Sequence, residues 1–122
     1  VKALVDAAEG LGVRYHVGIV ASTDSFYVGQ ERPGFGGYMP PWSRGLIETL
    51  RNLRVLSFEM ESATIFTLAS IYGARAGGVY AAIANRETDE FQPEVGVEDA
   101  IKVANEAVKI LAEHDSKSGA ST

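Results

Sequence analysis

Apolar residues recur at helical spacing near both ends of the chain. The spacing predicts a helix over residues 2–11, ended by Gly10 and Gly12, and a final helix that begins near residue 97. The apolar positions that define these two helical faces are Leu4, Val5, Ala8 and Leu11, and then Val97, Ala100, Ile101, Ala104, Val108 and Leu111.

Two other segments are apolar on both faces, as is typical of strands that are covered on both sides. They are the second half of residues 13–21 and the whole of residues 77–84, and a shorter strand is predicted over residues 54–58. From residue 60 to residue 72 the chain is apolar nearly all round. This pattern predicts a helix inside the protein, with Gly73 just past its end.

Strands and helices therefore alternate along the sequence. The alternation predicts an α/β fold, with a mixed, mostly parallel sheet and helices on both of its faces. At 122 residues the chain suits one compact domain, which we assign to residues 1–113. Residues 114–122 are predicted to be a mobile tail.

The nearly uncharged run from residue 62 to residue 85 resembles a membrane span at first sight. Arg75 lies at its middle, where a charge costs about 3 kcal/mol even on lenient insertion scales. Three glycines, at positions 73, 77 and 78, break the run at the same place. A buried helix, a turn and a buried strand therefore explain it better than a membrane helix.

Charge and cysteine usage exclude several function classes. Sixteen acidic and eleven basic side chains give a net charge of −5, which argues against a nucleic-acid partner. The sequence has no cysteine, so disulfides, thiolate catalysis and cysteine-ligated zinc are excluded, and a reducing, cytoplasmic location is expected. Because the chain opens on Val1 in mid-helix without a signal-peptide pattern, we expect it to be a piece of a longer polypeptide.

Three polar loops follow the predicted strands, where ligands gather in open α/β sheets. They are "STDSFYVGQER" (22–32), "SFEMES" (57–62) and "NRETDE" (85–90). Loops are also polar for ordinary reasons, so each of them taken alone is as well explained by structure as by function. In the first loop, Gln30 carries an amide with a donor and an acceptor, and Arg32 carries a planar fork of donors.

Two carboxylates, Glu59 and Glu61, stand at the start of the apolar helix. Either could stabilise the helix N-terminus by about 0.3–1 kcal/mol, or accept hydrogen bonds from a diol such as a ribose. Residues two apart do not share a helical face, so we expect one of the two to be structural. His16 and His114 have no partner at metal-ligand spacing, and no nucleophile–base pair stands out, so neither a metal site nor covalent catalysis is expected.

Taken together, "HVGIVASTDSFYVGQER", "FEMESATIFTLA" and "GVYAAIANR" resemble the C-terminal half of the uridine phosphorylases, in the nucleoside phosphorylase family. The resemblance runs from Val1 to about Leu111, and the combination of "FYVGQER" with "EMES" is its most specific part. It implies part of a three-layer α/β fold and a hexameric enzyme. The reaction it implies is the phosphorolysis of uridine to uracil and ribose 1-phosphate.

The resemblance also implies roles for single residues. Gln30 and Arg32 match the pair that hydrogen-bonds the uracil edge, and Arg32 and Glu61 match the residues that act on the departing base and on the sugar hydroxyls. The full set of implied substrate-binding residues is Phe26, Gln30, Arg32, Glu59, Met60, Glu61, Ile83, Ala84 and Arg86.

The resemblance also bears on the phosphate site and on the choice of base. The family's phosphate-binding arginines and glycine-rich loop belong to its N-terminal half, so phosphate is expected as a co-substrate bound outside this chain, with no further cofactor. Family members that act on purines have an aspartate where Arg86 stands, which favours a pyrimidine. The alternatives are a purine nucleoside phosphorylase or nucleosidase, or a non-catalytic nucleoside-binding or assembly domain.

Overall fold

The computed structural model of the protein describes residues 1–88 and 90–119. Its helices and strands follow in the order α1 (Lys2–Leu11), β1 (Ile19–Ser22), α2 (Leu46–Asn52), β2 (Val55–Glu59), α3 (Ser62–Ile71) and α4 (Val97–Gly119). Short 3₁₀ turns lie between β1 and α2. The chain forms two units, one made of residues 1–17 with the part from Gly77 onward, and the other of Gly18–Ala76.

In the first unit, α1 packs on α4 through small side chains. Ala7, Ala8, Val103 and Ala107 are all at most 4% exposed, and they form the core of this unit. The predicted N-terminal helix is confirmed. It ends because Gly12 adopts φ 67°, which places its N–H near the carbonyls of Ala8 and Glu9.

The predicted final helix is confirmed as α4, but its buried face is not centred on the apolar positions that the spacing marks. Ile101 and Val108 are 56% and 65% exposed, because the face that meets α1 is centred on Val103 and Ala107. The helix continues to Gly119, so the predicted tail of residues 114–122 begins inside it. The mobility of that tail stays a prediction, and residues 120–122 lie outside the described residues.

In the second unit, β1 and β2 form a parallel pair. The register pairs Ala21 with Phe58 and Ser22 with Glu59, so the two strands end side by side. A parallel sheet alternating with helices confirms the predicted α/β class. The helix α2 leads directly into β2.

Two of the predicted strands are wrong in extent. Of residues 13–21, only the part from Ile19 is in a strand, and within the described residues 77–84 the pairing is limited to a bridge between Ala84 and Phe91. A strand needs a hydrogen-bonded neighbour, and apolar composition predicts burial without supplying that neighbour.

The predicted apolar helix is present as α3, with Gly73 at φ 66° just beyond its end. The prediction that it lies inside the protein is wrong for this chain. Ile65 is 53% exposed, Leu68 46% and Ile71 68%. Within residues 1–88 and 90–119, no helix combines the length and the apolar character needed to cross a membrane.

Candidate functional site

The loop that follows β1 is organised around the carbonyl of Tyr27. This oxygen accepts hydrogen bonds from the N–H of Gln30 at 3.0 Å and from the N–H of Arg32 at 2.8 Å. Between them, Glu31 takes a left-handed conformation with φ 53°. The tight turn brings the side chains of Gln30 and Arg32 to the same side of the loop, where they meet.

The guanidinium of Arg32 is held by three groups of this loop. Its Nη1 donates to the Oε1 of Gln30 at 2.7 Å and to the carbonyl of Phe26 at 3.0 Å. The guanidinium carbon also lies 4.1 Å from the centre of the Phe26 ring, within the range of a cation–π contact. The structure therefore joins three of the residues predicted from the sequence into one cluster, which we call the Arg32 cluster (Phe26, Gln30, Arg32).

The members of the Arg32 cluster differ in exposure. Gln30 is buried, at 7% exposed, and its Nε2 lies 3.5 Å from the Oγ1 of Thr23. Phe26 is 50% exposed, and its ring meets that of Tyr27 edge to face. An amide in a fixed orientation, a guanidinium and a half-exposed aromatic ring can together bind a planar heterocycle, by hydrogen bonds at its edge and by contact with the ring.

At the end of β2, the carboxylate of Glu59 is fully engaged by the protein. Its Oε2 accepts the N–H of Glu61 at 2.9 Å and the N–H of Ser62 at 2.7 Å, and its Oε1 accepts the hydroxyl of Ser22. Ser22 in turn accepts the N–H of Ala63 at 2.9 Å. These bonds connect β1, β2 and the first turn of α3.

The bonding pattern also sets the ionisation of Glu59. Desolvation raises its pKa, but the hydrogen bonds from Ser22, Ser62 and Glu61 outweigh that effect and lower the pKa to about 2. The carboxylate is therefore a charged structural link between the strands and the helix. A direct contact between Glu59 and a ligand stays a prediction.

Glu61 and Met60 lie in the same turn, and their side chains are exposed. Because the register pairs Ser22 with Glu59, this turn leaves the sheet beside the loop that carries the Arg32 cluster. The expectation from the sequence, that polar loops leave the carboxyl ends of strands, holds for these two loops.

The third predicted loop belongs to the other unit. There the N–H of Gln92 donates to the carbonyl of Ile83 at 2.7 Å, and the N–H of Asn85 donates to the carbonyl of Glu90 at 2.9 Å. Ala84 bridges Phe91, and Arg86 is half-buried. The binding roles of Ile83, Ala84 and Arg86 stay predictions.

Sequence reasoning did not single out Ser22 or Thr23, although both side chains support the site. The only signal for them is position, since two hydroxyl residues directly follow an apolar strand. Their partners, Glu59 and Gln30, lie 37 and 7 residues further along the chain. The first of these distances hides the pairing from any local pattern.

The chain is similar to known proteins over most of its length. A model of the phosphorylase superfamily matches residues 1–115. The chain is 62% identical over 113 residues to a uridine phosphorylase of Thermococcus kodakarensis, and the match covers 93% of this chain and 40% of that protein. It is 39% identical over 112 residues to a uridine phosphorylase of Escherichia coli, covering 91% of this chain and 43% of the other.

A less similar relative is named for purine nucleosides. A DeoD-type purine nucleoside phosphorylase of Dichelobacter nodosus is 32% identical over 115 residues, which covers 91% of this chain and 43% of that protein. The chain therefore spans about two fifths of the length of the curated relatives it matches.

Proposed function

The chain belongs to the phosphorylase superfamily, and from this membership we propose that it is the base- and ribose-recognising portion of a uridine phosphorylase-like enzyme. The whole enzyme would convert uridine and phosphate to uracil and ribose 1-phosphate. The higher identity to proteins named uridine phosphorylase, 62% and 39% against 32% for the purine enzyme, supports uridine over a purine nucleoside.

The observation that carries the proposal is the Arg32 cluster. Uracil presents a carbonyl, an N–H and a second carbonyl along one edge. The amide of Gln30 carries a donor and an acceptor that suit a carbonyl and the N–H, and the planar guanidinium of Arg32 carries donors that suit the other carbonyl. Phe26 would pack against the base and the sugar. The 2.7 Å bond between Arg32 and Gln30 supports joint action of the two polar groups.

Charge development explains why a fixed arginine suits this reaction. Phosphate attacks the anomeric carbon of the sugar, the bond from that carbon to the base nitrogen breaks, and its electron pair leaves with the uracil. Arg32 would stabilise the negative charge on the departing base more strongly in the transition state than in the ground state. Glu61 would accept hydrogen bonds from the ribose hydroxyls, with Met60 packing beneath the sugar.

The remaining assignments follow from family membership. Ile83 and Ala84 would form a wall of the pocket, and Arg86 would lie near the base, where an aspartate would suit a purine. Phosphate would be a co-substrate held by residues outside this chain, with no further cofactor. We propose a cytoplasmic homo-hexamer as the working assembly of the intact enzyme.

A chimera tests the proposal. In the uridine phosphorylase of T. kodakarensis, the 40% that matches this chain is replaced by this chain, and uracil release from uridine is followed with and without phosphate. The chimera should release uracil only when phosphate is present, and the 122-residue chain alone should release none. A folded chimera without phosphate-dependent release would refute the enzymatic proposal and would favour a non-catalytic nucleoside-binding domain.

A further inference from the structure

Glu31 has an unusual backbone for its type. It lies between Gln30 and Arg32 with φ 53° and ψ 39°, a left-handed conformation that residues other than glycine, asparagine and aspartate rarely adopt. The turn that brings the two recognition side chains together depends on this conformation. Something outside the turn must therefore stabilise it.

The side chain of Glu31 supplies that stabilisation. Its Oε1 accepts the N–H of Gly45 and its Oε2 accepts the N–H of Ile47, each at 2.7 Å. Both oxygens thus bind the first turn of α2, 14 and 16 residues further along the chain. A carboxylate at a helix N-terminus gains from charge-assisted bonds and from the helix dipole, so this anchor is strong for its size.

A second anchor acts on the same turn. Ser43 is fully buried, at 0% exposed, and its hydroxyl donates to the carbonyl of Val28. Val28 begins the 3₁₀ turn that ends at Gln30. The segment from Ser43 to Ile47 therefore holds the recognition turn at two points, once through a backbone carbonyl and once through the Glu31 carboxylate.

We propose that Glu31 is a positioning residue for base recognition, acting through its anchor on α2 rather than by touching the base. With its carboxylate fixed, the backbone on either side is fixed, and the Nη1 of Arg32 stays 2.7 Å from the Oε1 of Gln30. This inference rests on the proposed uridine phosphorylase function. It assigns a role to the one residue of "QER" that the base itself does not need.

The kinetic test uses Glu31→Ala and Glu31→Gln in the chimera described above. Misplacing a recognition group by about 1 Å can cost on the order of 10²-fold, so Glu31→Ala should raise the KM for uridine by roughly 10- to 100-fold. The KM for phosphate should not change. Glu31→Gln keeps one oxygen acceptor and should give an intermediate value. Glu48→Gln, which removes an exposed carboxylate from the first turn of the same helix, is the matched control and should match the parent.

A second measurement works on the chain itself and needs no activity. Amide hydrogen exchange at Arg32, whose N–H donates to Tyr27 at 2.8 Å, should accelerate at least about tenfold in Glu31→Ala, while exchange within β1 and β2 stays at the parent rate. If Glu31→Ala fails to fold, Glu31→Gln takes its place in both measurements.

The two proposals fail in different ways. An inactive parent chimera would count against the uridine phosphorylase function, and unchanged Arg32 exchange would still overturn the role of Glu31. With an active parent, an unchanged KM for uridine would overturn it, as would an equal rise in the KM for both substrates, since a general loss of structure would explain that result.

Discussion

Replacing Arg32 with alanine should remove the charge stabilisation of the departing base. The guanidinium is held by the Gln30 amide at 2.7 Å, by the Phe26 carbonyl at 3.0 Å and by the Phe26 ring at 4.1 Å, so it is preorganised before the base leaves. One preorganised donor is worth about 2–4 kcal/mol in the transition state. At about 1.36 kcal/mol for each tenfold, kcat/KM for uridine should fall by roughly 30- to 1,000-fold.

Steady-state kinetics of the chimera with uridine and saturating phosphate would measure this loss. Arg32→Lys should recover only part of it, because an ammonium keeps the charge but cannot reproduce the planar fork. Arg51→Ala, at an exposed position in the last turn of α2, is the control and should keep the parent value. An Arg32→Ala chimera with the parent kcat/KM would refute the assignment of Arg32 to the base.

Three further outcomes follow from the structure. The pKa of Glu59 is lowered from 4.5 to about 2, so its charged form stabilises the fold above pH 4.5, and that contribution is lost as the pH falls towards 2. The thermal midpoint of unfolding should therefore drop over this pH interval, and it should drop by less in Glu59→Gln. An identical drop in both proteins would contradict the link. Gln30→Ala should reduce the preference for uridine over other nucleosides, whereas Glu61→Ala should slow all nucleosides alike, and kinetics on uridine and a purine nucleoside would separate the two. The exposed apolar side chains of α3 should make the chain self-associate, so that sedimentation gives a mass above the 13.0 kDa of the monomer, and Ile71→Lys should weaken that association. A parent chain that stays monomeric at high concentration would contradict this prediction.

The parts of the fold that the sequence predicts well depend on local signals. The helix α1 was predicted with its correct bounds because its apolar spacing and Gly12 both lie within a dozen residues. The run 77–84 was misassigned because apolar composition indicates burial and says nothing about which strand completes the ladder. The helix α3 was identified from its composition, but its exposure depends on what surrounds it.

The same distinction between local signals and tertiary contacts applies to the candidate site. Gln30 and Arg32 were singled out by the chemistry of their side chains in a loop that follows a predicted strand, and the family resemblance supplied their expected roles. The turn that carries them is held by the hydroxyl of Ser43, which donates to Val28, and by the N–H groups of Gly45 and Ile47, which donate to Glu31. No local pattern connects these donors to the loop. The bond from Ser22 to Glu59 spans 37 residues and depends on the strand register. Such pairings are determined by tertiary structure.

The pairing of Ser22 with Glu59 lets the register of two short strands set the spacing of the two loops that follow them. The loop proposed to bind the base and the turn proposed to bind the sugar start from paired residues, so the β1–β2 register sets the distance between them. A slip by one residue would displace one of them by about 3.3 Å along the strand and would turn its side chains to the opposite face. For an engineer, this separates two design problems: the loop after β1 can be exchanged for that of a relative with another base preference, while the ladder keeps the distance to the ribose.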